Sequence, residues 1–273
     1  GVVARLTRDP IVDDEEIFEQ FEARAIIMGR RERIKSGREA VVYRCDAHPA
    51  TGLSHVAVKV YKDVQTRSFR HMNTYLDGRI GRTIRKRRDI LHMLANADER
   101  QHFWVSTELG ALETLYAAGL PVPRPLGSAE TAIAMEFVAH NDDDEPAPRL
   151  RDLRPDPDLA QALERDAVAL IENMLAHDII HGDLSPYNLL VRNGRLMVID
   201  FPQAADARYS TQAQFFLARD TANVLSYFRE LGAGPDAARQ PADELAAGLW
   251  ARWESGDLYL ARDAAAVARA WGL

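Results

Sequence analysis

The chain has 273 residues, 47% of them hydrophobic and 27% charged, with a formal charge of −7 and one cysteine, Cys45. That length buries one large core or two lobes with a cleft between them. The negative balance argues against general coating of nucleic acid while leaving room for a local basic patch, the single cysteine excludes a disulfide framework and a Cys-rich zinc site, and no apolar run reaches the ~18 residues of a membrane span. A soluble cytoplasmic chain without membrane contact is expected.

In chain order, DDEEIFEQFEARAIIMGR (13–30) sets Ile17, Phe18, Phe21, Ala25 and Ile26 at helical spacing behind an acidic first turn. This predicts a docked amphipathic helix in an N-terminal helical extension over 1–30. IKSGREAVVYRCDA (34–47) reads as a turn and a strand, and HVAVKVYK (55–62) as a second strand with Lys59 inside it, so a small antiparallel sheet is expected. From 63 to 102 the periodicity weakens, and this span is expected to be an insert. Its run RIGRTIRKRR (79–88) carries six basic residues in ten. That run reads either as a solvated or mobile face, or as contact with RNA or another polyanion.

FWVSTELGALETLYAAG (103–119) predicts a helix with Val105, Leu109, Leu112, Leu115 and Tyr116 on one stripe, ended by Gly119 and Pro121. Glu108 falls on the same stripe. TAIAMEFVA (131–139) predicts a strand, and the polar HNDDDEPAP after it marks a hinge at 136–139 between an N-lobe over 31–135 and a C-lobe over 140–273. A long helix from Leu159 to His177 follows, with Leu163, Leu170, Ile171 and Met174 on its apolar side. Strands on either side of Asn193-Gly194 form a predicted hairpin. Helices are expected near 211–230, 241–253 and 261–271.

Between the long helix and the hairpin lies IIHGDLSPYNLLV (179–191), a polar loop between apolar segments. A two-residue turn at 193–194 sets 192 against 195, 188 against 199 and 187 against 200. Asn188 and Asp200 therefore meet at the open end of the hairpin. Ideal alternation would put them on opposite faces, so the pairing must loosen there. Together with Asp183 they form a set of hard oxygen ligands suited to Mg²⁺. Asp183 and Asn188 fit the pattern H-x-D-x-x-x-x-N, in which the Asp orients or deprotonates an attacking hydroxyl and the Asn binds metal. The alternative is a capped turn in which both side chains satisfy backbone groups. His181, next to an apolar run, reads as a packed structural residue rather than a base.

A nucleotide site also needs a cation for phosphate. Lys59 is the candidate, with a snorkelling side chain as the alternative. Glu108 is an acid on an apolar face, which is costly unless paired, and each of the two supplies the other's missing partner. KSGREAVVY (35–43) reads as a phosphate-covering loop with backbone N–H groups at Ser36 and Gly37, or as a plain turn. Met135, Glu136, Phe137 and Val138 offer backbone groups to an adenine edge, or simply end a buried strand.

The segments SGREAVVY, VAVKVYK, STELGALETLYAAGLPVPRP, MEFV followed by PAPRLRD, HGDLSPYN, VIDFPQA and FLARDTANV occur in this order. Over residues 30–230 the chain resembles the RIO family of atypical serine/threonine protein kinases. It looks closest to the first RIO branch, since the second carries an N-terminal winged-helix domain for which no segment is seen ahead of the phosphate loop. The resemblance implies an α+β, bilobal kinase fold with a small β-rich N-lobe, a mainly helical C-lobe and no usual activation segment. It implies ATP with Mg²⁺ or Mn²⁺. Lys59 would contact ATP phosphates and pair with Glu108, Asp183 would be the catalytic Asp, and Asn188 and Asp200 would hold metal. Met135 to Val138 would be the hinge, with the backbone of Glu136 and Val138 on adenine. Asp220 would be a buried carboxylate bracing the catalytic loop. The family also offers autophosphorylation and a transient aspartyl-phosphate, here at Asp200.

Some positions depart from the family or from ordinary kinases. Arg38 replaces the usual Lys, Phe201-Pro202 follows the metal Asp, and Ser185 stands where ordinary protein kinases carry Lys. The expected function is transfer of the ATP γ-phosphate to an unidentified protein acceptor. The rivals are a small-molecule phosphotransferase of aminoglycoside or choline kinase type, and an ATPase-switch assembly factor that meets RNA or ribosomal particles through 79–88. Archaeal and eukaryotic relatives act in small-subunit maturation. The Ala- and Arg-rich composition points to a bacterial source, so that role is not carried over.

Overall fold

A computed structural model describes residues 10–62, 97–140, 145–232 and 240–270. The basic run 79–88 and residues 141–144 lie outside the described residues. A helix α1 (Pro10–Ala23) precedes strands β1 (Ile27–Ser36), β2 (Ala40–Ala47) and β3 (His55–Tyr61). Helix α2 (Ala97–Ala117) leads to β4 (Pro125–Ala129) and β5 (Ala132–Glu136). The five strands form one antiparallel sheet in the order β1-β2-β3-β5-β4.

Every residue from Val56 to Tyr61 is buried, so β3 shows no polar–apolar alternation, but its period of two survives as a choice between two cores. Val56, Val58 and Val60 face outward onto Ile17, Phe18 and Phe21 of α1. Ala57 and Tyr61 face the opposite side, packing with Trp104, Leu112 and Ile133 in the core that continues into the second half of the chain. Lys59 lies on this inner side by parity.

Two boundaries differ from expectation. The helix read through residue 30 stops at Ala23. Ala25 takes a left-handed φ of 55°, its N–H bonds the Glu22 carbonyl at 3.0 Å, and the Ile26 N–H bonds the Phe21 carbonyl at 3.0 Å. This is a Schellman ending with Ala where Gly usually sits, so no glycine signalled the stop. The residues after it form β1, which begins inside the span read as helical extension and runs on to Ser36. Apart from Ile27 and Arg31, β1 is solvent-exposed, and its sequence IMGRRERIKS is that of a charged edge strand, which resists pairing with other chains and carries no alternation to read. The second difference is α2, which begins at Ala97, within the span read as insert.

The remainder is helical around short strands: α3 (Pro157–Ala176), β6 (Ile179–Ile180), β7 (Leu189–Arg192), β8 (Arg195–Val198), β9 (Ala205–Asp206), α4 (Ala213–Glu230), α5 (Ala242–Glu254) and α6 (Asp257–Ala270). Asp156 caps α3 by accepting the Leu159 N–H at 2.9 Å. The β7–β8 hairpin has the register expected of it, Arg192 on Arg195 and Leu189 on Val198. Asn193 and Gly194 have φ of 52° and 70°, the left-handed pair that a two-residue turn of this kind needs. Only residues 201–212 separate Asp200 from α4, and they hold β9, which pairs with β6, in place of a long activation segment. Among the described residues no helix is long and apolar enough to cross a membrane.

Candidate active site

Lys59 and Glu108 meet as expected. The Lys59 ammonium lies 3.1 and 2.9 Å from the two Glu108 carboxylate oxygens. Glu108 is 1% exposed, and a carboxylate that deep must fill its acceptor positions. It does so with Lys59, with the Tyr61 hydroxyl, and with the Phe201 N–H at 3.1 Å. Tyr61 lies two residues from Lys59 on the same face of β3, so strand alternation could have found it. The Phe201 contact joins the first half of the chain to the second, and no local pattern announces it.

Lys59 also contacts the Asp200 carboxylate. Burial disfavours the Lys59 ammonium, but Asp200 and Glu108 outweigh it and raise its pKa well above the ordinary value. Burial likewise opposes ionisation of Asp200, yet Lys59 prevails and holds this carboxyl below the usual range. Asp200 has a φ of 72°, a left-handed conformation that is uncommon away from glycine. This is the loosening that the hairpin register required. The ladder is intact one residue earlier, where the Ile199 N–H bonds the Asn188 carbonyl at 3.0 Å, and the turn of the backbone at Asp200 then brings its side chain to Lys59.

The polar loop holds Asp183 by its backbone. His181 is buried at 1% exposure, with Nε2 3.0 Å from the Ile199 carbonyl and Nδ1 3.2 Å from the Asp183 N–H. A ring that donates through Nε2 and accepts through Nδ1 is neutral, and burial lowers its pKa further. His181 is thus the packed structural residue expected. Asn188 donates its side-chain amide to the Asp183 carbonyl at 2.8 Å. Asp183 thereby has both backbone groups held while its side chain is exposed.

Asp220 braces this loop from α4. Its two oxygens accept the N–H groups of Gly182 at 2.7 Å and Leu184 at 3.1 Å, on either side of Asp183. Burial pushes its pKa up to about 7, against the pull of those two N–H groups and of Arg219. Arg219 bonds the Gly182 carbonyl. Gly182 has a φ of 81°, and a Cβ there would lie 2.2 Å from the Gln203 carbonyl oxygen, so only glycine fits.

The remaining predicted residues line the roof and back of the cleft. The turn after β1 is closed by the Gly37 N–H on the Ala40 carbonyl at 2.9 Å, so Gly37 does not offer the amide expected of it to phosphate. Lys62 ties the loop down, 3.0 Å from Ser36 Oγ and 2.7 Å from the Gly37 carbonyl. Met135 is in the inner core. The Glu136 N–H bonds the Arg124 carbonyl at 2.8 Å, and the Val138 carbonyl accepts from the Ala147 N–H at 3.0 Å. An adenine edge would therefore have to use the carbonyl of Glu136 and the N–H of Val138. The Glu136 side chain, not anticipated from sequence, accepts the Arg124 N–H at 3.1 Å and Arg192 of β7 at 2.6 Å.

Among the described residues no three His, Cys, Asp or Glu side chains group as a metal site. The Asn188 amide nitrogen is used on the Asp183 carbonyl, which leaves the Asn188 oxygen and the Asp200 carboxylate as hard donors of the chemical kind Mg²⁺ takes.

Comparison with known proteins identifies the family and the fold. The family model described as RIO domain matches residues 41–240. A RIO-type serine/threonine-protein kinase Rio1 of Haloferax volcanii is 34% identical over 206 residues, which are 74% of this chain and 64% of that protein. The RIO-type serine/threonine-protein kinase Rio1 of Thermoplasma acidophilum is 30% identical over 194 residues, 70% of this chain and 94% of that one. Thus the match spans just under two thirds of the first relative and nearly all of the second. A crystal structure of the Rio2 kinase from Chaetomium thermophilum, in an ADP/Mg²⁺-phosphoaspartate complex, superposes with a TM-score of 0.57 at 20% identity, covering 94% of this chain and 76% of that one.

Proposed function

Since this chain belongs to the RIO family, we propose that it is a RIO-type ATP-dependent serine/threonine protein kinase that uses Mg²⁺ and phosphorylates itself, with ATP hydrolysis as a second outlet. The observation that carries this reading is Lys59 bridging Glu108 and Asp200, beside a loop that holds the backbone of Asp183 and exposes its carboxylate. The lobes divide at 136–139 in this reading.

Lys59 holds the ATP phosphates, and Glu108 keeps its ammonium aimed. Asn188 and Asp200 hold the cation. Bound Mg²⁺, or Mn²⁺, supplies charge neutralisation at the β- and γ-phosphates. The carbonyl of Glu136 and the N–H of Val138 receive the adenine edge. Asp183 takes the proton of the acceptor hydroxyl as that oxygen bonds to the γ-phosphorus, while the bond to the β-phosphate oxygen breaks and ADP leaves. Asp200 provides the hydrolytic outlet. Its carboxylate attacks the γ-phosphorus, ADP leaves, and water then cleaves the acyl phosphate to free phosphate. The acceptor is an unidentified protein. The basic run 79–88 is suited to RNA or ribosomal contact, which should weaken as salt rises, and the cytoplasm is the expected compartment. No observation favours a small-molecule acceptor.

The test is incubation of the chain with γ-labelled ATP and Mg²⁺ beside Asp183→Asn, following labelled protein and free phosphate. Acid-stable label should appear on the wild type, and the variant should lose about 10²- to 10⁴-fold in rate while still binding ATP. Free phosphate with little stable label would shift the reading to an ATPase. Neither signal from the wild type would overturn it.

A further inference from the structure

A row across the sheet brings a second lysine over the cleft. Lys35 of β1 is paired with Val42 of β2, Val42 with Lys59 of β3, and Lys59 with Ile133 of β5. Residues directly opposed across strands project from the same face of a sheet. That face is identified independently, because Ile133 is buried in the inner core and Val42 packs against it, while the other face carries α1. Lys35 and Lys59 therefore leave the same side of the sheet two strands apart, about 10 Å at the backbone.

Nearby cations are already engaged. Lys59 is matched by Glu108 and Asp200, and Lys62 is spent on oxygens of the phosphate loop. Lys35 is different: the ion pairs found among the described residues do not include it. Its electrostatic surroundings are Arg149, Asp200 and Lys59, two cations against one acid. Partial burial and the nearness of Arg149 both act to lower its pKa, as expected for a positive group held where positive charge is in surplus. A bound polyanion would relieve that surplus.

We propose that Lys35 is a second phosphate-binding side chain, closing over the ATP polyphosphate from the β1 edge while Lys59 holds it from β3. This rests on the ATP-binding reading above, and the test separates the two. Calorimetric titration of the full chain with Mg-ATP, Mg-ADP and adenosine is made on the wild type, Lys35→Gln and Lys35→Arg, at low and at moderate salt. Lys35 sits on an edge strand with part of its side chain in solvent, so unchanged melting of both variants checks folding. Lys35→Gln should bind ATP and ADP about tenfold more weakly, with adenosine unaffected and a shallower salt dependence. Lys35→Arg should keep most of the affinity. ATP binding by Lys35→Gln equal to wild type, or an equal loss for adenosine, would overturn the assignment of Lys35 and leave the kinase reading intact. A wild type that binds no ATP would overturn both.

Discussion

Glu108 and Asp220 are acids of the same site, 1% and 2% exposed, and they are made tolerable in opposite ways. Glu108 is met by a full positive charge from another strand, and by a hydroxyl and an amide besides. Asp220 is met mainly by dipoles, the N–H groups of Gly182 and Leu184, with Arg219 no nearer than 4.0 Å. The first arrangement joins distant parts of the chain and fixes a reactive cation. The second shapes a loop and leaves its acid poorly compensated. Removing Glu108 leaves the buried Lys59 to Asp200 alone and strips the Tyr61 hydroxyl and the Phe201 N–H of their acceptor, whereas removing Asp220 orphans two amides.

The contrast can be broken most severely at Glu108. Glu108→Ala should destabilise the fold by about 2–4 kcal/mol, because Lys59 keeps Asp200 but a buried ion pair is broken and two buried donors lose their acceptor. It should also cut turnover by orders of magnitude, read from thermal melting and labelled-ATP assays. At Asp220 the expected loss is smaller. Asp220→Asn keeps one acceptor oxygen for two donors, so about 1–3 kcal/mol should be lost. Turnover should fall while ATP affinity is retained, because the loop carrying Asp183 is loosened and Lys59 is untouched. Similar, mild effects of both substitutions on ATP affinity and turnover would erase the distinction.

The gentlest probe is pH. Burial raises the Asp220 pKa from an ordinary 3.8 to about 7, so the folded state holds this proton where the unfolded chain has released it. The resulting stability is fully present below pH 3.8 and is lost as pH rises through about 7. Asp220→Asn has no such proton. The stability of the wild type relative to the variant, read from thermal melting, should therefore decline between pH 5 and pH 8, by about 2–3 kcal/mol. A constant difference across that range would show that the backbone N–H groups compensate the carboxylate fully.

Much of this site was legible because its chemistry is written in short spacings and strict parities. Asp183 and Asn188 share one loop, and a two-residue turn brings Asp200 back beside Asn188. Lys59 and Glu108 could be matched because each was costly alone. What escaped depended on tertiary contact or on the absence of a pattern. β1 is a charged edge whose exposed residues do not alternate, and the Ala25 helix stop uses a residue with no intrinsic preference for that conformation. The Phe201 N–H on Glu108 spans two halves of the chain. Gly37 is expected to offer its amide to phosphate, and its sequence context equally fits a plain turn; that the turn consumes the amide follows from the closure onto Ala40, which only the folded loop reveals.

The Glu136 carboxylate has a mechanical meaning. One of its oxygens takes the Arg124 N–H and the other takes Arg192, so the end of β5 is joined to the β7–β8 hairpin by an ionic link as well as by the covalent chain. The Glu136–Arg192 pair is partly exposed, with side chains 16% and 31% accessible, and pairs of this kind contribute about 1 kcal/mol or less. It is therefore a light fastening at the point where the sheet passes into the second half of the chain, holding the end of β5 to the hairpin while contributing little to the stability of the fold.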